Sequence, residues 1–520
     1  MNDGQFRFLV VIGYLLILIF LGLFANRVMR GTKADFLFAS HSIGPVLLLL
    51  SIFGTTMTAF AMLGSTGEAY RKGIGVYGKL ASASGIVHSL CFFLIGAKLF
   101  VLGRKYGYQT QIQFFTDRLD SRLIGVILFP LLVCLTIPYL LIGILGGGEV
   151  IQTMTAGAFP EQFPALVDGS PAAIHGSIPQ SIGSALVCAV VLFYVFSGGI
   201  RGTAWANAFQ TLVFMILGCV TFLLIAQKLG GQDNLFSSLQ SITAKVDARF
   251  TTRSELPKSE FLMYLLIPLS VAMFPHLFQH WLTAKSASSF KLTVVCHPLF
   301  VMIVWLPCIL MGIWATTLDL PPDIAKNQNS ILPYLVMSQL SPVVGGLLTA
   351  GVLAAIMSSL DSQSLCLGSM FTNDIVEPLL GKGRLGDRQQ VFVARSFIIM
   401  IVGISYWISV VLGPQQSIFA LGVWCFSGLA ALFPLVFAAL YWRGLTAAGA
   451  VASVLGAAIS WFYFFWQSGW GTVRGYAVKI PAVEIDFLPV VPIMAISVVS
   501  LIAVSLVTKP PTSATINKFF

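Results

Sequence analysis

Long apolar runs alternate along the chain with short polar connections rich in Gly and Pro. A helix needs about 20 mainly apolar residues to cross the hydrocarbon of a bilayer. By that measure the pattern predicts thirteen transmembrane helices. They lie near 7–26, 44–68, 76–103, 121–155, 178–198, 200–228, 259–284, 289–316, 341–376, 388–411, 415–441, 446–467 and 486–508. Longer loops are expected near 156–177 and 229–258, and a short tail at 509–520. The stretch from Phe8 to Ala25 exceeds a signal-peptide core and lacks a small-x-small cleavage site, so it reads as a retained first helix. The expectation is an all-α polytopic membrane protein, residues 1–520 forming one domain.

Composition agrees. The 520 residues are 57% apolar and only 10% charged, with mean hydropathy +0.88. Soluble domains carry about 25% charge, so a soluble enzyme, a disordered scaffold and a nucleic-acid module are all excluded. The net charge of +10 then serves orientation. Basic residues accumulate on the cytoplasmic side of short loops. Arg27, Arg30, Lys33, Lys98, Arg104, Lys105, Arg118, Arg122, Arg201, Lys285, Lys291, Lys382, Arg384, Arg388, Arg395, Arg443, Lys509 and Lys518 would share one side, against Arg71, Lys72, Lys79, Lys326, Arg474 and Lys479. That count places the N-terminus outside and the C-terminus in the cytoplasm. The eight cysteines sit in apolar runs without a CxxC pair, which reads as packing rather than a metal site or disulfide framework.

Polar residues inside spans are costly and mark function by default. The second span carries Ser51, Gly54, Thr55, Thr56 and Thr58, a segment able to unwind because hydroxyls can satisfy freed backbone groups. Unwinding would expose carbonyls to a cation and create a helix N-terminus for an anionic group; a tight small-residue interface explains the segment equally well. Five helices later, Met273-Phe274-Pro275-His276 carries a second interruption, since Pro275 removes a helical N–H. Two breaks at matching places point to an inverted-repeat transporter with a midplane site. In 354–364, Ala355, Ser358, Ser359 and Ser362 share one helix face, with Asp361 among them. Carbonyls and hydroxyls suit a hard monovalent cation. Serine bonding back to its own helix is the plainer alternative.

With these residues in view, the chain resembles the sodium/solute symporter family. The resemblance rests on Gly198-Gly199-Ile200 with Trp205 and Phe209-Gln210, on Thr283-Ala284-Lys285-Ser286, on the block from Ala354 to Asp374, and on Leu440-Tyr441-Trp442 before Gly449-Ala450. It implies a LeuT-like 5+5 inverted repeat, 44–228 and 259–441, with one extra N-terminal helix (7–26) and two extra C-terminal helices (446–508). It implies a co-transported sodium ion held by backbone oxygens of Gly54, Met57 and Ala355 and hydroxyls of Ser358 and Ser359. The substrate-binding stretch maps onto Thr56, Thr58 and Ala61, with Phe60 beside them. Pro275-His276 resembles the Pro-His pair of acetate-like and pantothenate carriers, so His276 joins the substrate set. Where many members carry an Asp tied to a second sodium site, this chain has Asn207. Asn207, Ser358, Asp361 and Ser362 are therefore either a relocated cation or proton site or a remnant in which Asp361 hydrogen-bonds Asn207.

Phe60, Phe419, Trp424 and Phe426 are aromatic candidates for gates, Glu149 is a candidate cavity residue or a buried structural partner, and His88 and His297 read as satisfied interior residues. A site lined by Thr, Met and Phe without fixed cations suits a small, partly apolar solute, a carboxylate or amino acid, carried by alternating access. The alternative is a proton-coupled or uncoupled member acting as a sensor, which Asn207 keeps open. A membrane enzyme is disfavoured because no catalytic set clusters on a loop. The partners expected are the solute and the bilayer, with no nucleic acid and no obligate protein partner. The family resemblance points to a bacterial inner membrane.

Overall fold

The structure is a computed structural model that describes residues 1–28, 44–164, 175–284, 286, 288–381, 383–413, 416–479 and 485–520. Four basic residues that bear on the orientation, Arg30, Lys33, Lys285 and Lys382, lie outside the described residues. Among the described residues, eleven helices are long and apolar enough to span a bilayer, and two bent pairs, each counted as one span, bring the number to thirteen. The spans are Asp3–Arg27, Pro45–Thr56 with Phe60–Lys72, Gly75–Tyr106, Arg122–Met154, Gln180–Ile200, Gly202–Gly230, Lys258–Ala272 with Pro275–Leu282, Phe290–Thr317, Pro342–Leu380, Asp387–Leu412, Ile418–Tyr441, Ala447–Gln467 and Val490–Val507. We number them first to thirteenth.

The second and seventh spans are the bent ones, by 59° and 51°. Each bend has a local cause. At Met57 the backbone turns extended (φ −89°, ψ 106°), and the Thr58 hydroxyl accepts from the Phe60 amide at 3.0 Å, starting the next helix as an N-cap does. In the seventh span Phe274 is extended and Pro275 opens the new helix, where its missing N–H leaves no partner unsatisfied. The break thus falls at Met57–Thr58, three residues beyond Gly54, which remains helical. Gly54 serves a different need: a Cβ there would sit 2.3 Å from Thr211 Oγ1, so only glycine lets the second and sixth spans approach this closely. Between the fifth and sixth spans, Gly199 at φ +53° turns the chain, a conformation glycine adopts freely.

Two segments expected to be plain connections are ordered. The loop at 229–258 folds as helices Leu235–Lys245 and Ala248–Thr251, capped by Asn234 and Asp247. The tail at 509–520 forms helix Ser513–Phe519, whose Phe519 is buried. A short helix, Gln111–Arg118, follows the third span, its Thr110 hydroxyl accepting from the Gln113 amide. The first span packs against the fifth, sixth and ninth, and the twelfth against the thirteenth, so the added helices flank a core built from the rest.

Candidate functional site

The second span's break and the middle of the ninth span meet at the centre of the bundle. Ser358 Oγ lies 2.8 Å from the Gly54 carbonyl and 3.0 Å from the Ala355 carbonyl, all three residues buried. Met57, at the break, has left the helical ladder beyond it, which leaves its carbonyl without an intrahelical role. Ser359 is buried beside this group, but its hydroxyl donates to Ile356 O at 2.9 Å in its own helix. The structure therefore brings Gly54, Ala355 and Ser358 together, while the Ser359 hydroxyl hydrogen is engaged within its own helix. Oxygen atoms without formal charge at this density suit a hard monovalent cation.

One turn along, Asp361 is completely buried among donors. Tyr194 Oη lies 2.7 Å from one carboxylate oxygen and Ser362 Oγ 2.9 Å from the other. With its amide nitrogen facing the acid, Asn207 donates to both oxygens at 3.2 and 3.0 Å and accepts from Ser362 at 2.8 Å; that orientation is assigned from the hydrogen-bond network. Gln210 extends the cluster to Tyr14 of the first span at 3.4 Å. Ser358, placed with this group from the sequence, turns instead toward Gly54.

A small cavity opens beside the break. Thr56, Met57, Phe60, His88, Tyr139, Tyr264, Phe274, His276, Trp305 and Phe426 are among its lining, and none of the lining residues carries a carboxylate, ammonium or guanidinium group. Of the candidate substrate residues, Thr56, Phe60 and His276 line it; Thr58 and Ala61 do not. Thr58 is buried as the cap of the next helix, and the Ala61 carbonyl is taken by Ser65 Oγ at 2.5 Å. Four buried polar atoms on the lining residues have no hydrogen-bond partner among the described residues: His276 Nδ1 and Nε2, Tyr264 Oη and Trp305 Nε1. Tyr139 hydrogen-bonds the Thr55 carbonyl at 3.3 Å, tying the fourth span to the break.

Phe60 closes one end of the cavity. It stacks on Phe419 at 5.1 Å and meets Phe426 edge-on at 4.9 Å. Beyond Phe419 lies a second cavity, also lined by Trp424, Tyr264 and Lys79. Trp424 packs there against Phe465 and Tyr476 and does not touch the central cavity. Phe419 thus stands between the two cavities, and Trp424 belongs to the wall of the second. Glu149 is a structural partner: Ser330 Oγ at 2.5 Å and Asn327 Nδ2 at 3.2 Å bind it to the short 328–330 turn. His280 lies a turn from His276 with Nε2 at 3.5 Å from Ser51 Oγ. Tyr139, Tyr264 and Trp305 escaped sequence reasoning because an aromatic in an apolar span looks like packing; only a shared cavity separates the two roles.

A family model described as "Sodium:solute symporter family" matches residues 176–456, more than half of the chain. The chain belongs to the sodium:solute symporter family. Curated relatives agree: the sodium/proline symporters of Staphylococcus aureus strains JH9 and JH1 are each 25% identical over 468 residues, covering 87% of this chain and 84% of theirs. Among solved structures, a sodium-coupled sialic acid symporter in a substrate-bound, outward-open state superposes with TM-score 0.74 at 17% identity, covering 98% of this chain and 100% of that one. MhsT in complex with L-phenylalanine gives TM-score 0.51 at 15% identity, over 89% and 98% of the two chains. The fold is LeuT-like, as the sequence resemblance implied. The protein is a multi-pass membrane symporter of this transporter family, with sodium as the co-transported ion.

Proposed function

We propose that this symporter carries a small carboxylate or amino acid into the cell, driven by sodium bound between the second and ninth spans. The observation that carries the reading is the central cavity's set of unpartnered polar atoms in a wall without fixed charge. Trp305 Nε1 can only donate, and Tyr264 and His276 can donate as well. An unfilled donor buried in apolar surroundings costs about 1–3 kcal/mol, so the cavity favours an occupant rich in acceptor oxygens. Phe60, Phe274 and Phe426 supply apolar contact for the rest of a compact solute. A sugar with many hydroxyls would need carboxylate and amide side chains, which this wall lacks.

Sodium is assigned to the Gly54, Met57 and Ala355 carbonyls, with the Ser358 and Ser359 hydroxyls completing the shell. Bound there, the ion joins the broken span to the ninth and favours the conformation in which Thr56 and His276 face the solute. The Asp361 group is read as a hydrogen-bonded carboxyl and not a second sodium site, because its oxygens are already engaged by Tyr194, Ser362 and Asn207. The two halves, 44–228 and 259–441, act as inverted repeats. The N-terminus lies outside and the C-terminus in the cytoplasm of a bacterial inner membrane, so Phe419 guards the outer side.

The deciding experiment is thermal stability of the purified protein in sodium against potassium at matched ionic strength, with acetate, pyruvate, L-proline or glucose added. Sodium-specific stabilisation, increased by a carboxylate or L-proline and not by glucose, is the expected result. Stabilisation by glucose alone would overturn the solute class, and an equal response to both cations would overturn the ion site.

A further inference from the structure

A histidine pair joins the wall of the central cavity to the helix behind it. His88, in the third span, lines the cavity, and its Nδ1 is 3.1 Å from Nε2 of His297 in the eighth. His297 is fully buried, meeting Phe53 and Phe92 edge-on at 5.7 and 4.9 Å, and its Nδ1 has no partner among the described residues. Nε2 of His88 is not used in any hydrogen bond within the described residues. These two side chains are therefore not simply satisfied interior residues: one is a support and the other has a free nitrogen.

A neutral pair can share its proton in two ways. If His88 Nδ1 donates to His297, then His297 must carry its own proton on Nδ1, where it would be an orphaned buried donor. If His297 Nε2 donates to His88, the orphan on His297 is a bare acceptor, and His88 carries its proton on Nε2. Orphaned N–H groups are rarer in folded proteins than under-satisfied acceptors, and the tautomer of one ring nitrogen is set by the bond that the other makes. The second arrangement is favoured.

We infer that His88 is a specificity-determining residue of the solute site, its Nε2–H presented to the cavity as a donor for an oxygen of the solute, with His297 as the positioning residue behind it. The inference rests on the carboxylate reading above for the nature of that oxygen, while the tautomer rests on the pair alone. Together with Trp305 and Tyr264, His88 would make the cavity wall select acceptors over donors.

Two measurements on the full-length protein test this. Nitrogen-15 histidine labelling with magic-angle-spinning NMR in lipid reads the tautomer, the His88 signal being the one lost in His88→Gln. A neutral His88 protonated on Nε2 is expected; a proton on Nδ1, or a cationic ring, would overturn the inference. The second is thermal-shift titration with sodium pyruvate and sodium acetate. His88→Phe should weaken the response to the anions about tenfold, as for one lost hydrogen bond, while His88→Gln, which retains a donor, stays within about threefold. His297→Phe should weaken it severalfold without touching the solute, and the response to sodium alone should not move in any variant. An equal loss in His88→Gln and His88→Phe, or a parallel loss of the sodium response, would mark the pair as structural and sink the specificity role. If neither anion stabilises the wild type, the proposed solute class is what fails, and the tautomer alone then decides for or against His88 as a donor.

Discussion

Ser358 and Ser359 are neighbours on one helix with different hydrogen bonds. The Ser358 hydroxyl reaches across to the Gly54 carbonyl, whereas that of Ser359 returns to Ile356. Ser358→Ala should therefore remove both an ion ligand and a tie between spans, raising the sodium concentration for half-maximal stabilisation at least about tenfold. Ser359→Ala should raise it with little change in stability in potassium, since only a local bond is lost; an unchanged sodium response there would remove Ser359 from the site. Asp361 tests the other cluster. Asp361→Asn would set an NH₂ against Tyr194, Ser362 or Asn207 and cost about 1–3 kcal/mol of stability. Sodium specificity should survive, as titration of thermal stability would show; its loss would restore a second ion at Asp361. Residue identity makes Ser358, Ser359 and Asp361 visible as candidates. Hydroxyl direction is not visible, because it follows from which helix packs alongside.

The broken helices divide in the same way. Pro275 announces its break in the sequence because it removes a helical N–H next to the polar residues His276 and His280, whereas Pro130, Pro138, Pro298 and Pro307 lie inside single spans. Gly54 draws attention to the right span for the wrong reason: the chain unwinds at Met57–Thr58, and Gly54 is needed for contact with Thr211. Gly54→Ala should accordingly destabilise the protein, and Thr211→Ala added to it should recover part of the loss by removing the clashing hydroxyl. The double variant being no better than Gly54→Ala alone, in a thermal unfolding comparison, would refute the steric account. Coupling of roughly 0.5–3 kcal/mol is usual for residues in contact.

Across the whole molecule, two contacts join segments far apart in the chain. Lys79, almost fully buried, pairs with Glu68 at 3.0 Å and Glu260 at 2.9 Å, and its ammonium lies 5.1 Å from the centre of the Phe419 ring. It therefore links the second, third and seventh spans over the stacked Phe60 and Phe419. Removing one partner of a buried ion pair costs about 3–5 kcal/mol, so Lys79→Met should lower the thermal midpoint clearly, whereas Lys79→Arg should lose less; equal losses would deny the charge its part. At the opposite end, Phe519 packs edge-on against Phe114 of helix Gln111–Arg118, which in turn meets Phe278 of the seventh span. Lys518 pairs with Asp117 beside it. Phe519→Ala should cost about 3 kcal/mol, the lower end for a buried phenylalanine, measured as a fall in midpoint; no change would mean that the tail docks without contributing to stability.

The apolar spans, the membrane class, the family and the two interrupted helices are legible in the order of residues alone, because transfer of apolar side chains into lipid, a crowd of hydroxyls about Gly54 and loss of a proline's N–H are local features read along the chain. The ordered helices at 235–251 and 513–519 are not, since short polar segments carry weak hydropathy signals and depend on caps and on docking partners. Nor is the pairing of His88 with His297, or the ring of donors about Asp361, which unites residues from the fifth, sixth and ninth spans. Partner choice among buried polar groups is settled by which helices lie side by side, and that depends on the packing of the entire bundle. Sequence names the groups that must find partners in a medium without water; tertiary structure decides which of them do and which remain free to meet a solute.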